Sequence, residues 1–128
     1  MRWVFITVLP LLLVGCSGRP DHALSGGKPV EARLRALKEA NPQARREAVE
    51  KLGNVGAMDP LVVPALQEAL NDKDARVRGA AILALVKCGA RAATPALPAL
   101  AEMQVNDSDR KVRDYAKEAL TAFQRGAK

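Results

Sequence analysis

A helical frame that occurs three times along the chain constrains its fold more than any other feature. The stretch Ala44-Arg45-Arg46-Glu47-Ala48-Val49-Glu50-Lys51-Leu52 aligns with Val77-Arg78-Gly79-Ala80-Ala81-Ile82-Leu83-Ala84-Leu85 at a shift of 33 residues, and the latter aligns with Val112-Arg113-Asp114-Tyr115-Ala116-Lys117-Glu118-Ala119-Leu120 at a shift of 35. Each copy opens on an apolar residue and Arg, with Ala four and Leu eight positions after the opening residue. Those intervals put the apolar members on one stripe of a helix. Asn41, Asp74 and Asp109 stand three positions upstream in the same frame, and each can accept a hydrogen bond from a free N–H at a helix start. Pro42 takes the first helical position, where a missing N–H costs nothing. Gly56 and Gly89, also 33 apart, read as C-terminal stops.

Each of these helices follows another that carries prolines early: Pro29, then Pro60 and Pro64, then Pro95 and Pro98. First-turn prolines are tolerated because those N–H groups lack an intrahelical partner, although Pro64 and Pro98 are expected to bend or delay their helices. The spacing predicts helices over residues 30–40, 42–55, 61–71, 75–88, 95–104 and 110–124. The chain is therefore expected to be all-α, a short α-solenoid of about three helical hairpins, each burying its stripe against its neighbours. Polarity supports the order of stacking. Helix 75–88 is apolar over most of its circumference, whereas 42–55 and 110–124 each keep a polar face, as end helices should. Beyond residue 15 the only aromatics are Tyr115 and Phe123, so the core must be built from Leu, Val and Ala.

The frame from Pro29 to Phe123 resembles the HEAT-repeat family, in particular its short bacterial form, called HEAT-like or lyase-type. Pro64 to Leu70 and Asp74 to Gly89 carry the family pattern of a Pro-led first helix, an acidic or Asn cap, then Val-Arg, Ala and Leu-Gly. Gln124 stands where a glycine would, and Ala44 where a Val is usual, departures that suit terminal repeats. A tetratricopeptide array has a similar period, but its aromatic and Gly-Tyr signature is missing. The resemblance implies a protein-binding or scaffolding module, with a purely structural surface lipoprotein that has no specific partner as the alternative. It also permits an accessory role like that of relatives that attach bilin pigments to proteins.

The first residues read differently. Arg2 precedes an apolar stretch from Trp3 to Val14 interrupted only by Thr7 and Pro10, which fits the apolar core of an export signal and falls short of the roughly 20 residues a transmembrane helix needs. Leu13-Val14-Gly15-Cys16 resembles the bacterial lipobox, which implies that a lipid is attached to Cys16 and that cleavage precedes it. The expected organisation is a signal peptide over 1–15, a lipidated cysteine with a flexible linker over 16–28, and a repeat domain over 29–128. Random-coil scaling gives the Gly/Ser/Pro-containing linker a reach of about 20 Å. The expected location is the cell envelope, with the lipid holding the chain on a membrane. By the same resemblance, Ser17 after the cysteine implies the outer membrane, facing the periplasm, in a Gram-negative cell.

Without residues 1–15 the chain has 19 basic and 14 acidic side chains, a net charge of +5. An excess of this size suits anionic lipid surfaces or acidic proteins. Nucleic acid is not expected as a partner, because aromatics for base stacking are lacking. With Cys16 lipidated, Cys88 is the remaining thiol, so no internal disulfide can form.

No residue pattern points to catalysis. His22 lies in the linker, Ser17, Ser25 and Ser108 have no base beside them, and no His/Cys spacing suits a metal. No enzyme activity, cofactor or metal is expected. Asp72, Asp74, Asp107 and Asp109 fall at turns and caps. Cys88 matches Val55 and Phe123 in the frame, which predicts a buried, inert thiol. Arg45, Arg78 and Arg113 read as a structural ladder, each pairing with its own or a neighbouring turn, and Arg110, Lys111 and Arg113 as a solvated basic face.

One surface stands out as a candidate for a protein partner. Opposite the core stripe, the second helices place Arg46 and Glu50 in repeat one, Gly79, Leu83 and Val86 in repeat two, and Asp114 and Glu118 in repeat three. The middle helix thus carries an apolar strip with Arg76 and Lys87 at its edges, the anatomy of a binding patch with a polar rim. The residues alone leave open whether Leu83 floors such a groove or is buried as core.

Overall fold

The second helix of each hairpin starts at its capping residue. Asn41 Oδ1 accepts from the Gln43 N–H at 2.9 Å, Asp74 Oδ1 from the Arg76 N–H at 2.9 Å, and Asp109 Oδ1 from the Val112 N–H at 3.1 Å. The computed structural model describes residues 28–126. Its helices are α1 (Lys28–Ala36), α2 (Pro42–Val55), α3 (Val62–Ala69), α4 (Ala75–Cys88), α5 (Ala90–Ala93), α6 (Leu97–Asn106) and α7 (Arg110–Gly126). The expected signal segment, Cys16 and the linker through residue 27 lie outside the described residues, as do residues 127 and 128.

Local chemistry accounts for the element ends. Gly56 (φ +72°) and Gly89 (φ +89°) stop α2 and α4 in a region open to glycine and strained for other residues. Pro64 is third in α3 and Pro98 second in α6, both in the first turn. A 3-10 turn over Thr94–Ala96, with Pro95 inside it, delays α6 to Leu97, two residues later than the spacing predicts. Helix α1 ends at Ala36, four residues early, and its chain continues in tighter turns through Lys38 N–H to Arg35 O (3.0 Å) and Glu39 N–H to Ala36 O (3.2 Å). The single-turn α5 was not expected; the Ala-rich run after Gly89 has a high intrinsic preference for helix.

The helices pair as three hairpins, α1/α2, α3/α4 and α6/α7, and the second helices stack in the order α2, α4, α7. Their shared stripe forms the core. Ala48, Ala81 and Ala116 are buried, and so are Val77 and Val112. Leu52, Leu85, Leu66, Ile82 and Leu100 are fully enclosed. Helices α2 and α4 meet tightly at Gly53, where an added Cβ would lie 2.7 Å from Ala84 Cβ, so a glycine is required despite its cost in a helix.

A ladder of arginines ties one hairpin to the next. Arg45 Nε and Nη2 donate to the two carboxylate oxygens of Asp72 at 2.8 and 2.9 Å, and its Nη1 donates to the Glu39 and Ala40 carbonyls at 2.8 and 2.9 Å. Arg78 repeats this on Asp107 at 2.9 and 2.8 Å, with Nη1 on the Asp72 carbonyl at 2.9 Å. Each aspartate also accepts the N–H of the capping residue two positions on, Asp74 or Asp109. One carboxylate thus fixes a turn and joins two repeats.

The ladder makes stability depend on acid. Hydrogen bonds from Arg45 and Arg78 hold the Asp72 and Asp107 carboxyls below the ordinary range, against the opposing effect of their partial burial. The Arg76 guanidinium, bonded to both oxygens of Asp74, lowers that carboxyl to about 2. As pH falls, the unfolded chain takes up these protons before the folded one, so acid favours unfolding. Thermal melts should show a level Tm down to about pH 5 and a fall between about pH 4 and pH 2. Asp107→Asn should remove part of that fall; a wild-type Tm that stays level through the acid range would contradict the ladder's role.

Candidate protein-binding groove

The three second helices leave a groove of about 420 Å³ between them. Gly79, Ala80, Leu83 and Ala84 of α4 form its floor with Val112 of α7. Arg46 and Glu50 of α2 make one wall, and Asp109, Lys111 and Tyr115 make the other. Leu83 is 47% exposed and Tyr115 36%, so both offer apolar surface to solvent. Tyr115 is seated by Gly79: its ring carbons lie 3.3 Å from where a Cβ at Gly79 would stand. A larger residue there would push the ring out of place.

Charge rims this floor. Arg76 bonds Asp74 at 2.9 Å, Lys87 Nζ donates to Asn54 Oδ1 at 2.9 Å, and Arg46 Nη1 lies 3.7 Å from Glu50 Oε1. Arg46 Nε is buried without a hydrogen-bond partner among the described residues. Four cations, Arg46, Arg76, Lys87 and Lys111, thus meet three carboxylates, Glu50 and Asp109 in the lining and Asp74 held on Arg76.

Of the residues singled out in the sequence, Arg46, Glu50, Arg76, Gly79, Leu83 and Lys87 come together here. Val86 does not: it is half-buried and packs against the core. Asp114 and Glu118 lie on another part of α7, beside Lys117 and Arg125. The reason is rotational. Counting about 100° per residue from the stripe, Arg46 and Glu50 sit at about 200 to 240° on α2, whereas Lys111 and Tyr115 sit at about 260 to 300° on α7. The groove takes the side of α2 that faces forward along the stack and the side of α7 that faces back, so one angular window does not serve all three helices. Tyr115 and Lys111 were missed for this reason, although Tyr115 had a signal of its own as one of the two aromatics beyond residue 15; Asp109 reaches the groove from the cap position that the sequence assigned to it.

Cys88, expected to be buried, is only half-buried. Ser108 Oγ lies 3.4 Å from Arg78 Nη2, and burial pushes the half-buried Cys88 thiol up. Among the described residues no helix is long and apolar enough to cross a membrane.

Stacked hairpins, an arginine ladder and a groove along the second helices define a short α-solenoid. The HEAT repeats family matches residues 30–121, and the chain belongs to that family. A search of curated proteins found no match.

Proposed function

We propose that this chain is a lipid-anchored interaction module of the bacterial cell envelope, without catalysis of its own, whose groove takes an acidic segment of a partner protein bearing an apolar side chain. The observation that carries this reading is the pairing of exposed Leu83 and Tyr115 with a charged rim in which four cations outnumber three carboxylates, Asp74 on Arg76 included. An apolar centre inside a charged rim is how transient protein interfaces are built, and the excess of cations selects for acidic partners. The anchoring half of the proposal rests on Leu13 to Cys16 and on the apolar stretch before them. The same resemblance supports the periplasmic face of an outer membrane.

Crosslinking in the native host tests the groove. Leu83→Glu, at an exposed position that tolerates a charge, should leave the fold intact and reduce partner capture at least about tenfold, as loss of an interface anchor does. Glu118→Lys, outside the groove, should capture normally. Equal loss in both variants, or none in Leu83→Glu, would reject the groove. Separately, Cys16→Ala should abolish incorporation of a labelled lipid precursor and leave a longer chain; equal labelling would reject the anchor.

A further inference from the structure

The arginine ladder has an unmatched rung at each end. Its three arginines are held alike by their own turns: Arg45 Nη1 on the Glu39 carbonyl (2.8 Å), Arg78 Nη1 on the Asp72 carbonyl (2.9 Å) and Arg113 Nη1 on the Asp107 carbonyl (2.6 Å). Residues 39, 72 and 107 are therefore one frame position, and all three carry a carboxylate. Asp72 takes the fork of Arg45, and Asp107 that of Arg78. Arg113 makes no ion pair among the described residues, and neither does exposed Glu39. One end of the stack thus presents a positioned guanidinium, and the other a carboxylate in the register that would receive it.

Apolar surface accompanies both half-rungs. Leu120 shares the frame of Leu52 and Leu85, which the following repeat covers completely, yet it is only half-buried. With Leu97, Ala101 and Phe123 it lines an open, mostly apolar groove of about 610 Å³. At the opposite end Ala32, Ala36 and Ala44 line a second groove of about 420 Å³.

We propose that the chain associates head to tail with a second copy of itself, Arg113 of one molecule gripping Glu39 of the next. Polar residues temper this junction. Lys117 stands where Ile82 is buried, and Glu47 and Lys51 stand where Ala80 and Ala84 are buried. Association is therefore weaker than the interior junctions, reversible and sensitive to salt. Because the two surfaces differ, the contact does not close on itself and continues past the dimer into open chains.

Sedimentation of the full chain in mild detergent tests this by charge exchange. Wild type should grow in mass with concentration beyond a dimer, and raised salt should reverse it. Arg113→Glu and Glu39→Arg should each weaken association at least tenfold while keeping the helical circular dichroism of wild type. An equimolar mixture of the two should associate again, since each supplies the charge the other lacks, and a merely misfolded variant could not do this. Glu39→Arg changes an exposed side chain, so it remains a valid test should Arg113→Glu fold poorly. A monomer at all concentrations up to about 1 mM, or association unchanged in both variants, would overturn the proposal. So would a monomer whose crosslink to a different protein is lost in Arg113→Glu, which would assign this edge to that partner.

Discussion

Leu85→Ala is expected to lower the stability of the whole stack by about 2 to 5 kcal/mol, the range for emptying a fully enclosed leucine site. Leu85 has no exposed surface and sits on α4, the helix covered on both sides. Its neighbours cannot collapse into the gap without moving two hairpins. For a domain of about 100 residues each kcal/mol shifts Tm by roughly 4 to 8 °C, so the variant should melt at least about 8 °C below wild type. Calorimetry should still show one transition, because no hairpin buries its stripe alone. Leu120→Ala, at the same frame position but half-buried at the end of the stack, should lose less than half as much. Equal losses at the two sites would mean that the frame has been aligned wrongly.

The second large effect is expected at the ladder. Asp107→Ala removes both oxygens that hold Arg78 and the acceptor for the Asp109 N–H. The side chains of this pair are 12% and 6% exposed. Stranding the guanidinium should cost about 2 to 3 kcal/mol, somewhat less than a deeply buried pair because water still reaches part of the rung. Arg78→Lys should recover only part of the wild-type stability, since an ammonium cannot span two carboxylate oxygens and the Asp72 carbonyl with fixed geometry. Urea denaturation measures both. A loss below about 0.5 kcal/mol for Asp107→Ala would place the rung among ordinary surface pairs.

Much of this architecture was legible because repeats state each local rule three times. Caps at Asn41, Asp74 and Asp109, stops at Gly56 and Gly89, and the Ala/Leu stripe all act within one turn of the chain, where residue type determines the outcome. The partners of the arginines were less legible. Asp72 and Asp107 read as turn residues, which they are, but each is also gripped from the preceding repeat, at separations of 27 and 29 residues. The acid at 39, 72 and 107 was the available signal. The groove was half legible for a different reason: helix rotation within a stack depends on close approaches such as Gly53 on Ala84 and Gly79 on Tyr115. Residue spacing within a single helix does not contain that information, so Val86, Asp114 and Glu118 were placed in the groove and Tyr115 was not.

The seating of Tyr115 against Gly79 also gives the groove an optical label. The chain has one tyrosine and one tryptophan, and the tryptophan is Trp3, inside the segment that export is proposed to remove. The processed protein then has a single ultraviolet fluorophore of any strength, and it stands in the wall of the groove. Its emission is free of transfer to indole, so quenching or a change in anisotropy on adding a partner reports directly on occupancy of this surface, with no dye attached and no residue replaced.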